Sequence, residues 1–210
     1  MADQSAIERL GTQSLSDAPP DHADVRRHIP GEPGIWILIF GDMLLFTVLF
    51  GAYLRQRGEN REMFAMSQDA LSRNLGALNT VILLTSSVVV VFATKAMRST
   101  HLRAYASRLT FLGMAIGFLF IIVKTVEYHE KISAGITPSV NGFYMYYFVL
   151  TGLHLLHVVI GLAVLATLSV LARDPAPSDR RISFFEGGAC FWHMVDLLWI
   201  VIFPLVFLVR

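Results

Sequence analysis

The chain has 210 residues, of which 54% are hydrophobic and only 16% are charged, and its mean hydropathy is +0.56. Soluble domains carry about 25% charged residues, so this composition excludes a water-soluble domain. The formal charge of +1 gives no sign of a nucleic-acid partner. The single cysteine, Cys190, excludes an internal disulfide, a thiolate metal cage and a cysteine-held iron–sulfur cluster.

Five stretches are long and apolar enough to cross a membrane, since a helix needs about 20 such residues to span a hydrocarbon core of about 30 Å. In chain order they are residues 35–54, 78–97, 109–126, 143–171 and 187–208, which we call the first to fifth predicted spans. Their length favours helices over the shorter alternating strands of a membrane barrel. The sequence therefore predicts an all-α, polytopic membrane bundle with five transmembrane helices.

Residues 1–32 differ from the rest of the chain because they are polar and lack the apolar segment of a signal peptide. We interpret them as a short, mostly disordered tail that precedes a membrane domain at residues 33–210. Lys and Arg are slightly more frequent in the connections on the same side as this tail. Because positive charge favours the cytoplasmic side, this bias predicts a cytoplasmic N-terminus in a multi-pass protein.

The predicted spans contain polar and ionisable side chains, which are costly in lipid and usually face protein. His154 and His157 are three positions apart on the fourth span, and His193 and Asp196 repeat that spacing on the fifth. Each pair therefore lies on one face of its helix. The polar and motif residues that we single out are Asp42, Asn79, Glu127, Tyr128, Thr151, His154, His157, Glu186, Trp192, His193 and Asp196.

Helix packing follows from the same faces and from small residues. We expect Glu186, His193 and Asp196 to form a polar seam that joins the fifth span to the third and fourth. Glycines permit close helix approach, and Trp192 is expected in the core or near an interface. The glycines that we assign to helix packing are Gly41, Gly51, Gly113, Gly117, Gly152 and Gly161.

Asp42 lies about 12 Å along the first predicted helix, at 1.5 Å per residue, so it should face protein and either pair or bind a proton. A hydrogen bond to the second span, for example to Thr85 or Ser86, is one interpretation. Another is an autonomous proton-coupled transporter with Asp42, Glu127 and Asp196 as its relay. The chain has no inverted repeat, a feature that many transporters show.

A membrane metalloenzyme built on His154, His157 and His193 is a further hypothesis, because two histidines and a carboxylate suit zinc or non-haem iron. A di-iron bundle needs paired Glu-x-x-His motifs on facing helices, and Glu127 has no histidine three positions later. The simplest interpretation of these side chains is that they hydrogen-bond helices to one another. The residues alone leave these alternatives open.

Four motifs occur in order along the predicted spans. Residues 78–80 read LNT, with Ser86 and Ser87 after them, and Glu127 is followed by Tyr128. Residues 151–161 read TGLHLLHVVIG, and residues 185–186 read FE before FWHMVDLLW at 191–199. Together they resemble the L-N-T…S-S, E-Y, T-G-x-H-x-x-H-V-x-x-G and F-E…W-H-x-V-D-x-x-W segments of the haem-copper oxidase subunit III family. The similarity extends from Pro33 to Phe207, nearly the whole membrane part.

The chain also departs from that family pattern. Asp42 stands where the family commonly has glutamate, and Lys124 stands where glutamine is usual. With five spans, the chain lacks the two leading helices of seven-helix members and the lipid cleft that they form. It is similar in this respect to a short bacterial branch that includes subunit-III-like proteins associated with nitric oxide reductase.

The resemblance implies a non-catalytic accessory subunit of a respiratory haem-copper oxidase or nitric oxide reductase complex in the bacterial inner membrane. Such a subunit has no haem or copper of its own. It implies two kinds of partner, a catalytic haem-copper subunit and bound phospholipid, and no nucleic acid. Its expected contribution to electron transport is lipid binding, support of proton uptake and stability of the catalytic subunit.

Overall fold

The computed structural model describes residues 33–174 and 176–209. These residues form six α-helices and a terminal π-helical turn at Pro204–Leu208. The helices are α1 (Pro33–Glu59), α2 (Arg61–Asp69), α3 (Arg73–Arg98), α4 (Arg103–Ser133), α5 (Gly142–Leu171) and α6 (Asp179–Phe203). The predicted tail at 1–32 lies outside the described residues, so the proposed domain boundary stays a prediction.

Five of these elements, α1, α3, α4, α5 and α6 with the π-helical turn, are long and apolar enough to cross a membrane. This confirms the predicted all-α bundle of five spanning helices. Most helices extend beyond their predicted spans: α4 begins six residues before residue 109 and ends seven residues after residue 126. Hydropathy detects only the apolar part of a helix, whereas the backbone hydrogen bonds continue through polar turns in the headgroup region.

The short helix α2 is not predicted from the sequence, because its nine residues are too few and too polar for a span. Its buried face closes one end of the bundle. Gln68 Nε2 donates to the Val206 carbonyl at 2.8 Å, and Asn141 Nδ2 donates to Ser67 Oγ at 2.9 Å. In addition, the Tyr53 hydroxyl of α1 donates to the Leu205 carbonyl at 3.2 Å. The bonds from Gln68 and Tyr53 satisfy two carbonyls of the π-helical turn.

Helices α3, α4, α5 and α6 form a closed ring in which each packs against two neighbours, and α1 lies outside the ring against α5 and α6. We call the end where α1, α4 and α6 begin the N-terminal end of the bundle. The other end, with α2 and the π-helical turn, is the C-terminal end. There, α4 finishes in a left-handed residue, Gly135 with φ +77°, and the Ile136 N–H donates to the Lys131 carbonyl at 2.9 Å. This pattern is the Schellman C-cap that glycine favours.

Trp192 is buried at the centre of the ring. Of the two positions that the sequence allows for this side chain, in the core or near an interface, it occupies the first. Its indole lies between Gly117 of α4 and Gly161 of α5. A methyl group added at Gly161 would lie 2.7 Å from the indole, and one added at Gly117 would lie 2.8 Å from it. These two glycines therefore make room for one large side chain, and three helices approach one another around it. By contrast, none of the described residues lies within 4 Å of the position of an added methyl at Gly41 or Gly51.

Candidate functional site

The polar side chains inside the bundle form three groups on different helices. A charged cluster lies between α4 and α5, a row of hydrogen bonds joins α3 to α6, and an acid–histidine pair joins α1 to α5. The charged cluster is completely enclosed, whereas the acid–histidine pair lies at the edge of the bundle. The structure thus distributes the singled-out residues over the bundle instead of gathering them in one site.

Lys124, Glu127 and Tyr147 form the charged cluster, and all three are fully buried. Lys124 Nζ lies 3.1 Å from Glu127 Oε2, and the Tyr147 hydroxyl donates to Glu127 Oε1 at 2.6 Å. Lys124 Nζ also lies 3.4 Å from the Tyr147 oxygen. The spacing of three positions places Lys124 and Glu127 on one face of α4. Lys124 and Glu127 would each be costly to bury alone, and each therefore has the other as a partner of opposite charge.

Four aromatic rings surround the Lys124 ammonium, and we call them the Lys124 cage. Their centroids lie 5.0–5.4 Å from Nζ, close enough for cation–π attraction. They come from α4, α5, α6 and the π-helical turn. The cage consists of Tyr128, Tyr147, Trp199 and Phe207. Lys124 thereby connects three helices of the ring and the C-terminal turn through one cation.

Thr151 extends the charged cluster along α5. Its hydroxyl donates to the Tyr147 carbonyl at 2.6 Å, and its Oγ1 also lies 2.6 Å from the Tyr128 hydroxyl. Because the single Thr151 hydroxyl proton is committed to the carbonyl, the Tyr128 hydroxyl is the donor in the second bond. Tyr128 therefore contributes its ring to the Lys124 cage and its hydroxyl to α5.

His154 is fully buried one turn further along α5. Its ring stacks on Trp199 at 5.2 Å and meets the edge of Phe120 at 5.5 Å. Trp199 in turn donates from Nε1 to Thr80 Oγ1 at 3.0 Å. Among the described residues, neither ring nitrogen of His154 and neither side-chain polar atom of the buried Asn79 has a hydrogen-bond partner. The contacts that the structure shows for His154 are therefore aromatic.

Helix α6 is joined to α3 by side-chain bonds at two levels. Ser87 Oγ lies 2.6 Å from His193 Nδ1. Nearer the N-terminal end, Arg98 Nε donates to Glu186 Oε1 at 2.5 Å. The expectation that Glu186 and His193 join the fifth predicted span to the third and fourth is wrong for these two contacts, because both partners lie on α3, the helix of the second predicted span. Spacing along α6 defines the polar face, whereas the rotation of the packed helix decides which neighbour it meets.

Asp42 and His157 form the acid–histidine pair, with 3.3 Å between Asp42 Oδ1 and His157 Nε2. His157 Nδ1 lies 2.8 Å from the Leu153 carbonyl oxygen. A carbonyl only accepts, so Nδ1 carries a hydrogen. The contact with Asp42 then needs one further proton, held either by Nε2 or by the carboxyl group. Their side chains are 21% and 10% exposed, so the pair lies at the edge of the bundle.

One interpretation of Asp42, a hydrogen bond to Thr85 or Ser86 on the second predicted span, is wrong. The Thr85 hydroxyl donates to the Val81 carbonyl at 2.7 Å, and the Ser86 hydroxyl donates to the Gly113 carbonyl at 2.7 Å. Helix α1 packs on α5 and α6, so its polar side chain meets a residue of α5. Sequence order suggested a neighbouring span, but α1 does not pack against the helix that follows it in the membrane.

Two members of the proposed transporter relay have different partners in the structure, since Asp42 contacts His157 and Glu127 contacts Lys124 and Tyr147. The third, Asp196, lies on α6. Within 33–174 and 176–209, no group of three or more His, Cys, Asp or Glu side chains is close enough to hold a metal ion. His154 contacts aromatic rings, His157 contacts Asp42, and His193 contacts Ser87. The three histidines thus do not converge on one centre.

The sequence analysis does not predict the partners of several residues in these groups. The spacing of Lys124 and Glu127 places both side chains on one helix face, so their ion pair could have been predicted from the sequence. Ser87, Arg98 and Tyr147 carry no comparable signal, because their partners are at least 20 positions away in the chain. Only packing of the helices brings such residues together.

The fold and its polar groups define a class, that of polytopic membrane subunits whose buried polar side chains mostly bond neighbouring helices. The profile of the family described as cytochrome c oxidase subunit III matches residues 25–209. The chain belongs to this family, which confirms the resemblance found in its motifs.

Relatives cover nearly the whole chain. Cytochrome c oxidase subunit 3 of Thermostichus vulcanus is 29% identical over 208 residues, which are 98% of each chain. Its counterpart in Alkalihalophilus pseudofirmus is 27% identical and covers 94% of this chain and 97% of its own. Cytochrome bo(3) ubiquinol oxidase subunit 3 of Buchnera aphidicola (from Acyrthosiphon pisum) is 28% identical, with 83% and 84% covered. These similarities span the predicted membrane domain.

Members of this family are non-catalytic subunits of haem-copper oxidases, so the prediction of an accessory subunit is confirmed. The transporter and the metalloenzyme find no support among the relatives. A multi-pass membrane protein follows from the same family and from the five apolar helices.

Proposed function

We propose that this chain is subunit III of a respiratory oxidase complex in a bacterial inner membrane, packed beside a catalytic subunit that holds the redox centres. The observation that carries the proposal is the family match over residues 25–209. The names of the relatives, cytochrome c oxidase and ubiquinol oxidase subunits, favour an oxygen-reducing complex over a nitric oxide reductase. In this proposal the chain has no redox centre of its own.

In that case the polar residues named above stabilise the arrangement of helices in the subunit and take no part in the redox reaction. Glu127, Tyr128 and Thr151 bond α4 to α5, and His193 bonds α6 to α3. Buried hydrogen bonds and ion pairs of this kind favour one arrangement of helices, because every wrong arrangement leaves polar groups without partners in lipid. A subunit with one rigid arrangement offers its catalytic partner a constant surface.

The outer face of α1 is suited to contact with lipid or with another subunit. Ile37, Phe40, Leu44 and Val48 are all more than 60% exposed. Apolar side chains that are exposed on a spanning helix contact either acyl chains or another membrane subunit. We therefore propose that phospholipid and the catalytic subunit share this outer surface.

The distribution of charge supports a cytoplasmic N-terminus. Basic side chains are more numerous at the N-terminal end than at the C-terminal end, and the cytoplasmic side of a membrane protein carries more Lys and Arg. At the N-terminal end they are Lys95, Arg98, Arg103, Arg108, Arg173, Arg180 and Arg181; at the C-terminal end they are Arg55, Arg57, Arg61, Arg73 and Lys131.

The proposal is tested by purifying the tagged full chain from its native membrane in mild detergent. We expect a haem-containing subunit to co-elute, with an oxidase absorption spectrum and oxygen consumption, and no stoichiometric metal in the chain itself after the subunits are separated. A lone, colourless chain that contains about one metal ion, lost on replacing His154 and His157, would support the metalloenzyme instead.

A second measurement separates an accessory role from catalysis. Removal of the chain should leave the haem spectrum and initial oxygen consumption of the complex, while the number of turnovers before inactivation falls. Consumption of nitric oxide without oxygen consumption would assign the chain to a reductase. Proton flux in liposomes that contain this chain alone, lost in Asp42→Asn, would overturn the accessory role.

A further inference from the structure

Residues 1–32 carry an excess of negative charge, although the chain as a whole has a formal charge of +1. Six of these residues are acidic and three are basic. The two signs are not evenly mixed, because residues 10–25 contain Asp17, Asp21 and Asp24 and no Lys or Arg. We call residues 17–24, which read DAPPDHAD, the acidic segment. Three carboxylates within eight residues favour a partner surface of positive charge.

A positively charged cavity of about 600 Å³ opens at the N-terminal end of the bundle, between the start of α4 and the end of α5. The side chains of Arg108 and Arg173 are exposed, and neither has an ion pair or hydrogen bond with another described residue. The acid in the lining, Asp174, already pairs with Arg181. The cavity therefore offers two guanidinium groups, which bind carboxylates in a two-pronged fashion. Its polar lining residues are Thr100, Arg103, Ser107, Arg108, Arg173 and Asp174.

The two walls of the cavity are bonded to each other. The Ser107 hydroxyl of α4 donates to the Ser169 carbonyl of α5 at 2.7 Å, just before Arg108 and one turn before Arg173. This bond sets the separation of α4 and α5 at the point where the two arginines leave their helices. A segment with several carboxylates therefore binds without first rearranging the helices.

The acidic segment precedes a helix that begins at the same end of the bundle as the cavity. Helix α1 begins at Pro33 and packs against α5, whose C-terminal end forms one wall of the cavity. Asp24 lies nine positions before Pro33. Nine residues of extended chain span about 30 Å, whereas one helix is about 10 Å wide. The length of chain before α1 is therefore sufficient for the acidic segment to cross the end of α5 and reach the cavity.

We propose that the acidic segment docks in this cavity, with its carboxylates on the Arg108 and Arg173 guanidinium groups, and thereby excludes other anions from it. Exposed ion pairs are individually weak. Here, however, both partners belong to one polypeptide, so the effective concentration of the segment at the cavity is roughly millimolar. Pro19 and Pro20 restrict the backbone of the segment, which lowers the conformational entropy lost on docking. Docking within one chain is independent of the proposed function.

The test measures disulfide cross-linking between the acidic segment and the cavity, in native membranes that contain the full chain. Ala23→Cys places a thiol within the segment without removing a carboxylate, and Thr100→Cys places one on the exposed lining of the cavity. Both are combined with Cys190→Ala, which removes the native cysteine. Mass spectrometry of the linked peptides after mild oxidation gives the yield. The matched control pairs Ala23→Cys with Ser178→Cys, because Ser178 is exposed at the same end of the bundle but outside the cavity.

We expect the cysteines at positions 23 and 100 to give roughly fivefold more disulfide than those at positions 23 and 178, because docking raises the local concentration of one thiol at the other. Asp17→Asn/Asp21→Asn/Asp24→Asn should lower the yield roughly fivefold, since all carboxylates of the segment are lost. Arg108→Gln/Arg173→Gln should lower it by a similar factor. Salt at about 0.5 M should lower it as well, because salt screens exposed charges.

Matched variants make the result specific to this contact. Asp3→Asn/Glu8→Gln removes two acids outside the acidic segment and should leave the yield unchanged. Asp21→Arg should lower the yield, and its combination with Arg108→Asp should recover part of the loss, because opposite charges face each other again. A thermal unfolding midpoint equal to that of the unaltered chain shows that the glutamine variant is folded.

Four results would overturn the inference. Equal yields from the two cysteine pairs, or unchanged yields in the asparagine and glutamine variants, would show that the acidic segment does not dock in the cavity. Disulfides between two chains, visible as dimers on a non-reducing gel, would assign the segment to a second copy of the chain. A yield that rises only after lipid is extracted from the membranes would assign the cavity to a lipid headgroup.

Discussion

Helices α1 and α6 both cross the membrane, yet they occupy opposite environments. In the apolar stretch of α6, 56% of the residues are buried within the chain, whereas in that of α1 only 11% are. Mean hydropathy hardly separates the two helices, because lipid and a protein core are both apolar solvents for a side chain. Hydropathy therefore identifies which helices enter the membrane, but it does not indicate which of them packs at the centre of the bundle.

The polar side chains of the two helices reveal what hydropathy does not. Helix α6 carries Glu186 and His193, which bond to α3. Helix α1 carries Asp42, which bonds to His157 at the edge. The enclosed ion pair of Lys124 and Glu127 extends this contrast, since both of its side chains have no exposed surface. Substitutions at the centre should therefore cost more than substitutions at the edge.

The largest effect is expected at the enclosed ion pair. Lys124→Met removes the cation and leaves the Glu127 carboxylate buried with only the Tyr147 hydroxyl as a partner. Breaking a buried pair in this way destabilises by about 3–5 kcal/mol. The amount of assembled complex recovered from membranes, and its thermal unfolding midpoint in detergent, should both fall.

Two variants control this prediction. Lys95→Met removes an exposed lysine and should change neither quantity. Lys124→Gln introduces an amide that can still donate to Glu127, so its loss should be smaller than that of the methionine variant. If Lys124→Met assembled as well as the unaltered chain, the ion pair would not hold the centre together.

A smaller loss is expected where helices meet without polar bonds. Gly161→Ala places a methyl group 2.7 Å from the Trp192 ring. Overpacking of this kind costs about 1–3 kcal/mol, and the unfolding midpoint should fall accordingly. Gly41→Ala is the matched change on α1, where nothing in residues 33–174 and 176–209 lies within 4 Å, and it should leave the midpoint of the isolated chain unchanged. Equal decreases in the unfolding midpoint at both positions would contradict the expected difference between the centre and the edge of the bundle.

At the edge itself, Asp42→Leu deprives the His157 Nε2 atom of its partner. A polar group left without a hydrogen bond costs about 1–3 kcal/mol when buried, and the partial exposure of this pair places the loss near the lower limit. Asp42→Asn keeps an acceptor oxygen and should be milder, with oxidase activity retained but lipid retention or the number of turnovers altered. Complete loss of initial activity in Asp42→Asn would place Asp42 on a reaction path instead.

The smallest effect is expected at an exposed pair. Arg55 Nε lies 3.3 Å from Glu59 Oε1, with the two side chains 84% and 56% exposed. Such pairs contribute about 1 kcal/mol or less, so Arg55→Ala should barely shift the unfolding midpoint. Arg98→Ala is the informative comparison, because its partner Glu186 is only 4% exposed. A shift in Arg55→Ala as large as that in Arg98→Ala would contradict the ranking by burial.

Much of the fold could be read from the sequence, and so could part of the site. The five spans follow from residue types alone. Gly117 and Gly161 are among the six glycines assigned to packing, whereas the central position of Trp192 is one of two alternatives that the sequence left open. The pairing of Asp42 with His157 could not be read, because helices distant in sequence become neighbours only through packing. Helix α2 was missed since its stability comes from tertiary bonds such as that from Gln68 to Val206, and not from its own periodicity.

The five membrane crossings and the family of oxidase subunit III can be predicted from the residues, because transfer from water to lipid depends on composition and because motifs are local strings of residues. Which polar groups meet depends on the packing of the helices. Lys124 and Tyr147 are 23 positions apart, and Ser87 and His193 are 106 apart. Their contact depends on the rotation and neighbours of each helix, which are set by the packing of the whole bundle.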